Sequence, residues 1–397
     1  MFNTIDTLTA KSKLVILRGD LNVPISDGKI SDITRLERLK PTIELLSSKG
    51  AKVVVVSHFG RPNGKKNIEM TLKPIAESLS AVLNKNVLFV DDCIGESVVS
   101  ALSNLQDGDV AVLENLRFYK GEEANDKEFA KQLANGFDIY VNDAFSVSHR
   151  SHSSTDGIAD LLPAYAGLNM QAELEALSSS LEKPKTPVIA IVGGSKVSTK
   201  LAVLNNLVKK VDKIVIGGGM ANTFLYGQGI DIGNSLCEKD LSETVKQIIA
   251  SAELNDCEII LPNDAMVSDD INNGKDAIEK KISEISENDM ILDIGTKSIN
   301  DIIEKIKDCK TLIWNGPVGA FEFSPFEQGT KKIAETVAKL TKSGDLVSIA
   351  GGGDTVSALA MAGVKDELSY VSTAGGAFLE WIEGKELPGV KKLIKKD

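Results

Sequence analysis

The 397-residue sequence predicts an α/β protein: two doubly wound, Rossmann-like parallel-sheet domains joined by a helix, with a cleft between them. Three observations carry this prediction. Short β-branched runs alternate with longer helix-forming stretches, that alternation lapses once near the middle and resumes, and the chain is too long for a single core. With 42% hydrophobic residues over this length, two domains of roughly 150 to 200 residues are expected.

In the first half, Leu14 to Leu17, Val53 to Val56, Val87 to Val90, Val110 to Leu113 and Ile139 to Val141 read as parallel strands, because strands covered on both faces are apolar throughout. Leu168 to Leu181 is rich in Ala, Leu, Glu and Met and reads as a helix, followed by the Pro-punctuated stretch Glu182 to Pro187. Then Val188 to Val192, Ile214 to Ile216, Ile259 to Leu261, Thr311 to Trp314 and Leu346 to Ala350 form a second set of strands. The expected division is a first domain over 1–167, a connecting helix and linker over 168–187, and a second domain over 188–385. The basic C-terminal segment 386–397 carries an apolar stripe and is expected to pack back on the first domain.

The net charge of −11 argues against nucleic acid as a partner, since phosphate contacts demand a basic surface. No apolar run approaches the roughly 20 residues of a membrane helix, and MFNTIDTLTAKSK lacks the basic-then-apolar order of a signal peptide. Cytoplasmic residence without a membrane partner is expected. Cys93, Cys237, Cys257 and Cys309 show no C-x-x-C pairing and read as structural thiols.

Lysine is the default cation here. Of 45 basic residues only six are arginine, namely Arg18, Arg35, Arg38, Arg61, Arg117 and Arg150, all within the first 150 positions. The planar guanidinium fork binds carboxylate or phosphate bidentately, which lysine cannot do, so an anionic ligand is expected on the first domain. Four of these five strand exits carry a cation: RGDLNVP from Arg18, SHFGRP with His58 and Arg61, ENLRF with Arg117, and NDAFSVSHR ending in Arg150. Open α/β sheets bind ligands along that edge. Arg38 lies on a helix-like stretch and reads as an ordinary surface residue. His149 and His152 lack carboxylate or cysteine partners at zinc-ligand spacing.

The second half has no arginine, and its strand exits are rich in glycine. Gly193-Gly194-Ser195-Lys196 leads to Lys200; a helix starting there would set Lys196 and Lys200 on one face, aimed at a phosphate. G-x-x-x-x-G-K-[ST] is absent from it. Gly217, Gly218 and Gly219 offer a flat backbone to a base or ribose, and the loop from Asn315 to Glu322 offers a carboxylate to ribose hydroxyls. Gly351, Gly352 and Gly353 can present N–H groups to phosphates, with Asp354 holding a shared Mg2+ beside Thr355.

RGDLNVP, SHFGRP, ENLRF, NDAFSVSHR, GGSKVSTKL, IGGGMANTFL, WNGPVGAFE, GGGDT and VSTAGGAFLEWIEGKELPGV together resemble the phosphoglycerate kinase family, in that family's order, from position 18 to 390. The resemblance implies reversible, Mg2+-dependent transfer of the acyl-phosphate of 1,3-bisphosphoglycerate to ADP, giving 3-phosphoglycerate and ATP. It also implies a monomer that closes about a hinge, with in-line transfer in the closed cleft. Carried over, Asp20, Asn22, Arg35, His58, Arg61, Arg117 and Arg150 would bind the phosphoglycerate. Lys200, Gly217, Gly218, Asn315, Glu322, Gly351, Gly352, Gly353, Asp354 and Thr355 would bind the nucleotide, Asp354 also the metal. Arg35, Lys196, Lys200, Gly352 and Gly375 would serve the transferring phosphoryl group. The chain departs from the family pattern at Ser146-Val147-Ser148, at Ala374 and at Phe378, where altered local loop conformation is expected. A dinucleotide dehydrogenase would need G-x-G-x-x-G opening a βαβ unit with an acid roughly 20 residues on, which is absent. A non-enzymatic nucleotide-binding scaffold would have lost Arg35, Lys196, Lys200 or Asp354, and all four are present.

Overall fold

A computed structural model describes residues 2–26, 29–272 and 274–394. The chain divides into two compact units, one formed by the residues up to Leu174 with the segment from Glu386 onward, the other by Glu175–Lys385. The change-over falls inside the helix Leu168–Leu177, which runs into a π-type turn, Ser178–Glu182.

The first unit holds a six-stranded parallel sheet in the spatial order Val87–Val90, Val110–Leu113, Lys52–Val56, Leu14–Arg18, Ile139–Asn142, Ala164–Ala166. Val15, Leu17, Val53 and Val55 pack on one face against the helices Thr34–Ser48 and Lys73–Leu83, through Leu36, Leu39, Ile43, Ile75 and Leu79. Ile16, Val54 and Val56, of opposite parity, are equally buried. Each such side chain contributes about 1.5–3 kcal/mol by leaving water, against about 0–1 kcal/mol for an exposed ion pair, so burial decides the strand pairing. In the register, Arg18 lies between Val56 and Asn142, which brings three strand exits to one level.

The second unit repeats the scheme with Glu258–Ile260, Lys213–Ile216, Val188–Val192, Thr311–Asn315, Val347–Gly351 and Tyr370–Ser372. Numbered within this unit, the order is 3-2-1-4-5-6, the doubly wound order whose switch point lies between the first and fourth strands. Val192 and Asn315 are register partners there. Two features have no counterpart in the sequence reading. Each sheet gains a three-residue edge strand, Ala164–Ala166 and Tyr370–Ser372, and a small antiparallel sheet joins Ile278–Lys281, Asp264–Ser268 and Met290–Ile294.

The C-terminal segment is tied to the first unit. Asn3 N donates to Leu393 O at 2.9 Å, Gly389 N to Ser148 O at 2.9 Å, and Lys392 Nζ to Asp160 Oδ1 at 2.5 Å. Residues 395–397 of that segment lie outside the described residues.

Asp143 organises the start of the helix Leu168–Leu177. Its carboxylate accepts from Thr42 Oγ1 at 2.6 Å, Asn169 Nδ2 at 2.8 Å and Met170 N at 3.0 Å. Burial pushes this carboxyl up to about 6 despite those donors. An Asp143→Ala substitution strands three donors in the interior. It is expected to cost about 2–4 kcal/mol in urea unfolding, with Asp143→Asn recovering part of the loss.

Candidate functional site

Building outward from the first sheet, Asp20 ties the exits together. Its Oδ2 accepts from Arg35 Nη1 at 2.6 Å and from Ser146 Oγ at 2.6 Å, while Oδ1 accepts from Asn22 N at 3.1 Å. Asn22 Oδ1 in turn accepts from Gly60 N at 3.0 Å, and Gly60 O accepts from Arg117 Nη1 at 2.8 Å. One chain of contacts therefore links the loops after four strands to the first turn of the helix Thr34–Ser48. Arg117 is buried and also faces Glu123, Nε to Oε1, at 3.0 Å. Arg150 Nε donates to His149 Nε2 at 3.3 Å. Arg61, next to Gly60, is exposed.

His58 is buried, and its basicity falls well below the usual imidazole value, first through burial and then through Arg18, Arg117, Arg150 and His152. The field of Arg117 and Arg150 reaches His58, so these three share one neighbourhood. His152 is driven down to about 4, again by burial first and then by Arg117, Arg18 and Arg150. Two groups here escaped the sequence reading: Ser146, whose hydroxyl meets Asp20, and Glu122, fully buried on the short helix Lys120–Glu123. Sequence gave no signal for Glu122, which reads as a helix surface residue.

The second unit presents a cavity of about 440 Å³ whose walls include Gly194, Gly218, Leu236, Val318, Glu322 and Asp354. Gly217 lies buried behind it against Val318. Glu322 and Asp354 are exposed at its margin. Lys200 is half-buried, and its Nζ donates to Asn315 Oδ1, while Asn315 Nδ2 donates to Gly351 O at 2.7 Å. Burial lowers the basicity of Lys200, and Asp354 and Glu383 oppose that.

The helix Gly353–Met361 begins at a cap, Gly352, with φ 99°, a backbone state natural to glycine. Its first intrahelical acceptor is Gly352 O, which takes Val356 N at 3.0 Å, so the N–H groups of Gly353, Asp354 and Thr355 lack intrahelical acceptors and form an anion-ready terminus. The hydroxyl of Thr355 is committed internally, donating to Gly351 O at 2.9 Å and accepting from Gly316 N at 2.7 Å. What Thr355 can offer a phosphate is its backbone amide. Gly375, φ 43°, caps the helix Gly376–Ile382.

One expectation needs correction. The helix after the first glycine pair starts only at Leu201, preceded by a 3-10 turn, Val197–Thr199, with Lys196 extended and exposed. Lys196 and Lys200 therefore do not share a helix face, because the turn between them is too tight to set the 3.6-residue period. Asp293 was also missed. It sits in the cavity wall at the end of the strand Met290–Ile294, accepts from Ile294 N at 2.9 Å and Gly329 N at 2.7 Å, and burial pushes it up to about 7. A lone acid in the apolar run Met290 to Ile294 was the available signal.

Phe378 finds its explanation here. It is fully buried, and a Cβ on Gly351 would come within 2.5 Å of its ring. Bulk at 378 thus demands glycine at 351. Gly351→Ala is expected to destabilise by about 1–3 kcal/mol in thermal melts, and adding Phe378→Ser is expected to relieve most of that; additive losses would contradict the packing argument.

What the two sites supply is charge and position, the equipment of a phosphotransferase that moves a phosphoryl group directly between bound oxygens. Comparison with known proteins makes this specific. Residues 5–385 match the phosphoglycerate kinase family model. The chain is 55% identical over 397 residues to a phosphoglycerate kinase of Rhizobium meliloti (strain 1021), covering 100% of both, and 56% identical over 395 residues to that of Chelativorans sp. (strain BNC1), covering 99% of both. Among solved structures, phosphoglycerate kinase from Coxiella burnetii aligns with a TM-score of 0.92 at 42% identity over 99% of each chain. The enzyme from Pyrococcus horikoshii OT3 aligns at 0.80 and 30% identity over 99% of this chain and 98% of that one. The chain belongs to the phosphoglycerate kinase family. Its reaction is the reversible transfer of the acyl-phosphate of 1,3-bisphosphoglycerate to ADP, yielding 3-phosphoglycerate and ATP.

The depressed basicity of the histidines sets a pH dependence. Unfolded, His152 takes up a proton as pH falls below about 6.5; folded, it resists until about 4. Native stability is therefore lost across that window and is unaffected by this group above about pH 7. Relative to wild type, His152→Gln is expected to lose less stability between pH 6.5 and 4 in urea titrations. Parallel pH profiles would contradict the assignment.

Proposed function

We propose that Arg61, Arg117, Arg150 and His58 hold the phosphate of the phosphoglycerate, with Asp20, Asn22 and Arg35 placing its hydroxyl and carboxyl end. The nucleoside occupies the cavity walled by Gly218, Val318 and Glu322, with Glu322 facing the ribose hydroxyls. Gly217 and Asn315 shape that cavity from behind, and the amides of Gly351 to Thr355 receive its phosphates. One observation carries this reading: the half-buried ammonium of Lys200 donates to Asn315, Asn315 donates to Gly351 O just ahead of the helix Gly353–Met361, and Asp354 in that helix's first turn acts on the same ammonium.

Direct transfer needs no enzyme nucleophile. Arg35, Lys196 and Lys200 neutralise charge on the phosphoryl group in flight, and the backbone at Gly352 and Gly375 supplies donors to its oxygens. Among the described residues no group of three or more acidic, His or Cys side chains could hold a metal. Asp354 alone suits Mg2+, which takes one carboxylate and completes its shell with nucleotide phosphates and water. Bound there, the ion would shield the charge between adjacent phosphates.

The same reading makes the chain a cytoplasmic monomer. Among the described residues no helix is long and apolar enough to cross a membrane, and the four cysteines stand as thiols, as a reducing compartment keeps them.

A coupled assay with 3-phosphoglycerate, ATP and magnesium tests this. Wild type should turn over and stop on chelation of the metal. Arg35→Ala and Lys196→Ala should each lose on the order of a hundredfold in kcat or more while keeping their urea midpoints. An inactive wild type, or variants of full activity, would sink the assignment.

A further inference from the structure

Arg18 is the one strand-exit arginine without a place in the reading above, and it is also the most deeply buried, at 1% exposure. Burial lowers even its basicity, with Glu122 and Asp20 opposing. A guanidinium in that position must be held by acceptors on several sides. Its Nε donates to Ser154 Oγ at 2.9 Å, and that hydroxyl in turn donates to Glu122 Oε1 at 2.6 Å. Ser154 N donates to Glu122 Oε2 at 3.0 Å, so both carboxylate oxygens are engaged. Nη1 donates to Gly19 O and, at 3.4 Å, to Ser57 Oγ. The remaining arm of the fork, Nη2, lies 3.1 Å from His58 Nδ1.

Arginine has donors and no acceptor. Nδ1 of His58 must therefore accept, and the ring proton must sit on Nε2, for which no protein acceptor stands among the described residues. A proton on Nδ1 would set two donors against each other. We propose that Arg18 is a positioning residue for phosphoglycerate recognition: anchored by Ser154 and Glu122, it locks His58 as the neutral Nε2–H tautomer, so that His58 meets the anionic substrate as a hydrogen-bond donor without charge. The proposal rests on the placement of the triose at His58.

The surrounding charges act in the same sense. Arg18, Arg117, Arg150 and His152 all oppose a cationic His58, after burial, which is the largest influence. The anions around this group are committed elsewhere: Glu122 is held by Ser154 and stands 3.9 Å from His152 Nδ1, Glu123 faces Arg117, and Asp20 accepts from Arg35 and Ser146. Burial raises the Glu122 carboxyl, with Arg18 and the Ser154 bonds opposing. A neutral donor has a use at such a place. Three arginines already supply positive charge for a phosphate, and a further cation would repel them whenever the substrate is absent.

Imidazole 15N NMR on the full-length, ligand-free chain tests the lock directly. His58 is expected to show one protonated nitrogen, Nε2, and one bare nitrogen, Nδ1, and to stay uncharged where an ordinary imidazole, of value about 6.5, takes up its proton. An imidazolium or an Nδ1–H tautomer at neutral pH would overturn the proposal. In Arg18→Gln, whose amide can accept as well as donate, His58 should titrate closer to its ordinary value of about 6.5. KM for 3-phosphoglycerate should rise on the order of tenfold, the loss of about one hydrogen bond, with KM for ATP within about twofold of wild type. Ser154→Ala, which leaves the guanidinium in place and frees one arm, should move both readouts in the same direction by less, and carries the test if Arg18→Gln does not fold. Variants with an unchanged tautomer and unchanged titration would overturn the lock. Saturating 3-phosphoglycerate should shift the Nε2 resonance; an unmoved resonance would overturn the recognition half of the proposal, while the ligand-free spectrum would still decide the lock.

Discussion

A parallel sheet covered by helices on both faces can offer polar groups to a ligand only along the edge where its strands end. Both units of this chain obey that constraint, and everything chemical in them is arranged accordingly. In the first, the register that sets Arg18 between Val56 and Asn142 levels three exits, the Ser146–Asp20–Asn22–Gly60 contacts join them, and Gly60–Arg117 adds the exit after Leu113. In the second, the register of Val192 with Asn315 fixes the switch point, and the glycine exits open a cavity there in place of a charged surface. In the proposed reading the two edges solve different recognition problems with one architecture: a small trianionic triose calls for guanidinium forks, and a nucleotide calls for shape, backbone amides and a few charges.

Beneath each edge lies a layer of buried polar groups that costs stability and gives geometry in return. Asp143 draws Thr42, Asn169 and Met170 together at the start of the helix in which the units change over. Glu122 and Ser154 hold Arg18, and Asp293 fastens the strand Met290–Ile294 to the helix Gln328–Lys342 under the loop carrying Glu322. An ion buried without partners would cost several kcal/mol, so each of these is nearly saturated with hydrogen bonds. Burial outweighs even those partners, raising the carboxyls of Asp143 and Asp293 and lowering the basicity of His58.

The sequence made the central strands legible because short apolar runs rich in β-branched residues admit few other readings, and it exposed the cationic edge of the first sheet because arginine stands out against a lysine background. It was silent on Ala164–Ala166 and Tyr370–Ser372, which are too short for a period and are held as strands by their neighbours. The small antiparallel sheet hid for a related reason: Ile278–Lys281 is exposed, charged and defined by pairing alone. Lys196 was misplaced because Gly-Gly-Ser followed by Lys-Val-Ser-Thr-Lys fits either a helix start or a tight turn, and only packing around the buried Val197 selects the turn. Ser154 and Glu122 are ordinary residues in sequence, and Ser146 stood out only as part of a loop that departs from the family pattern. Their roles come from what lies opposite them, over separations of 136, 32 and 126 positions. Phe378 was visible as an oddity, and its reason, the bare face of Gly351, became visible only in three dimensions.

The central claim is a division of labour between two strand-exit edges, and hydrogen–deuterium exchange on the intact chain tests it most directly. With 3-phosphoglycerate alone, protection is expected in 18–24, 57–64, 115–123 and 142–152. With ADP and magnesium alone, it is expected in 193–200, 217–222, 315–322 and 351–355. Protection of the same unit by both ligands, or of the first unit by the nucleotide, would contradict the account.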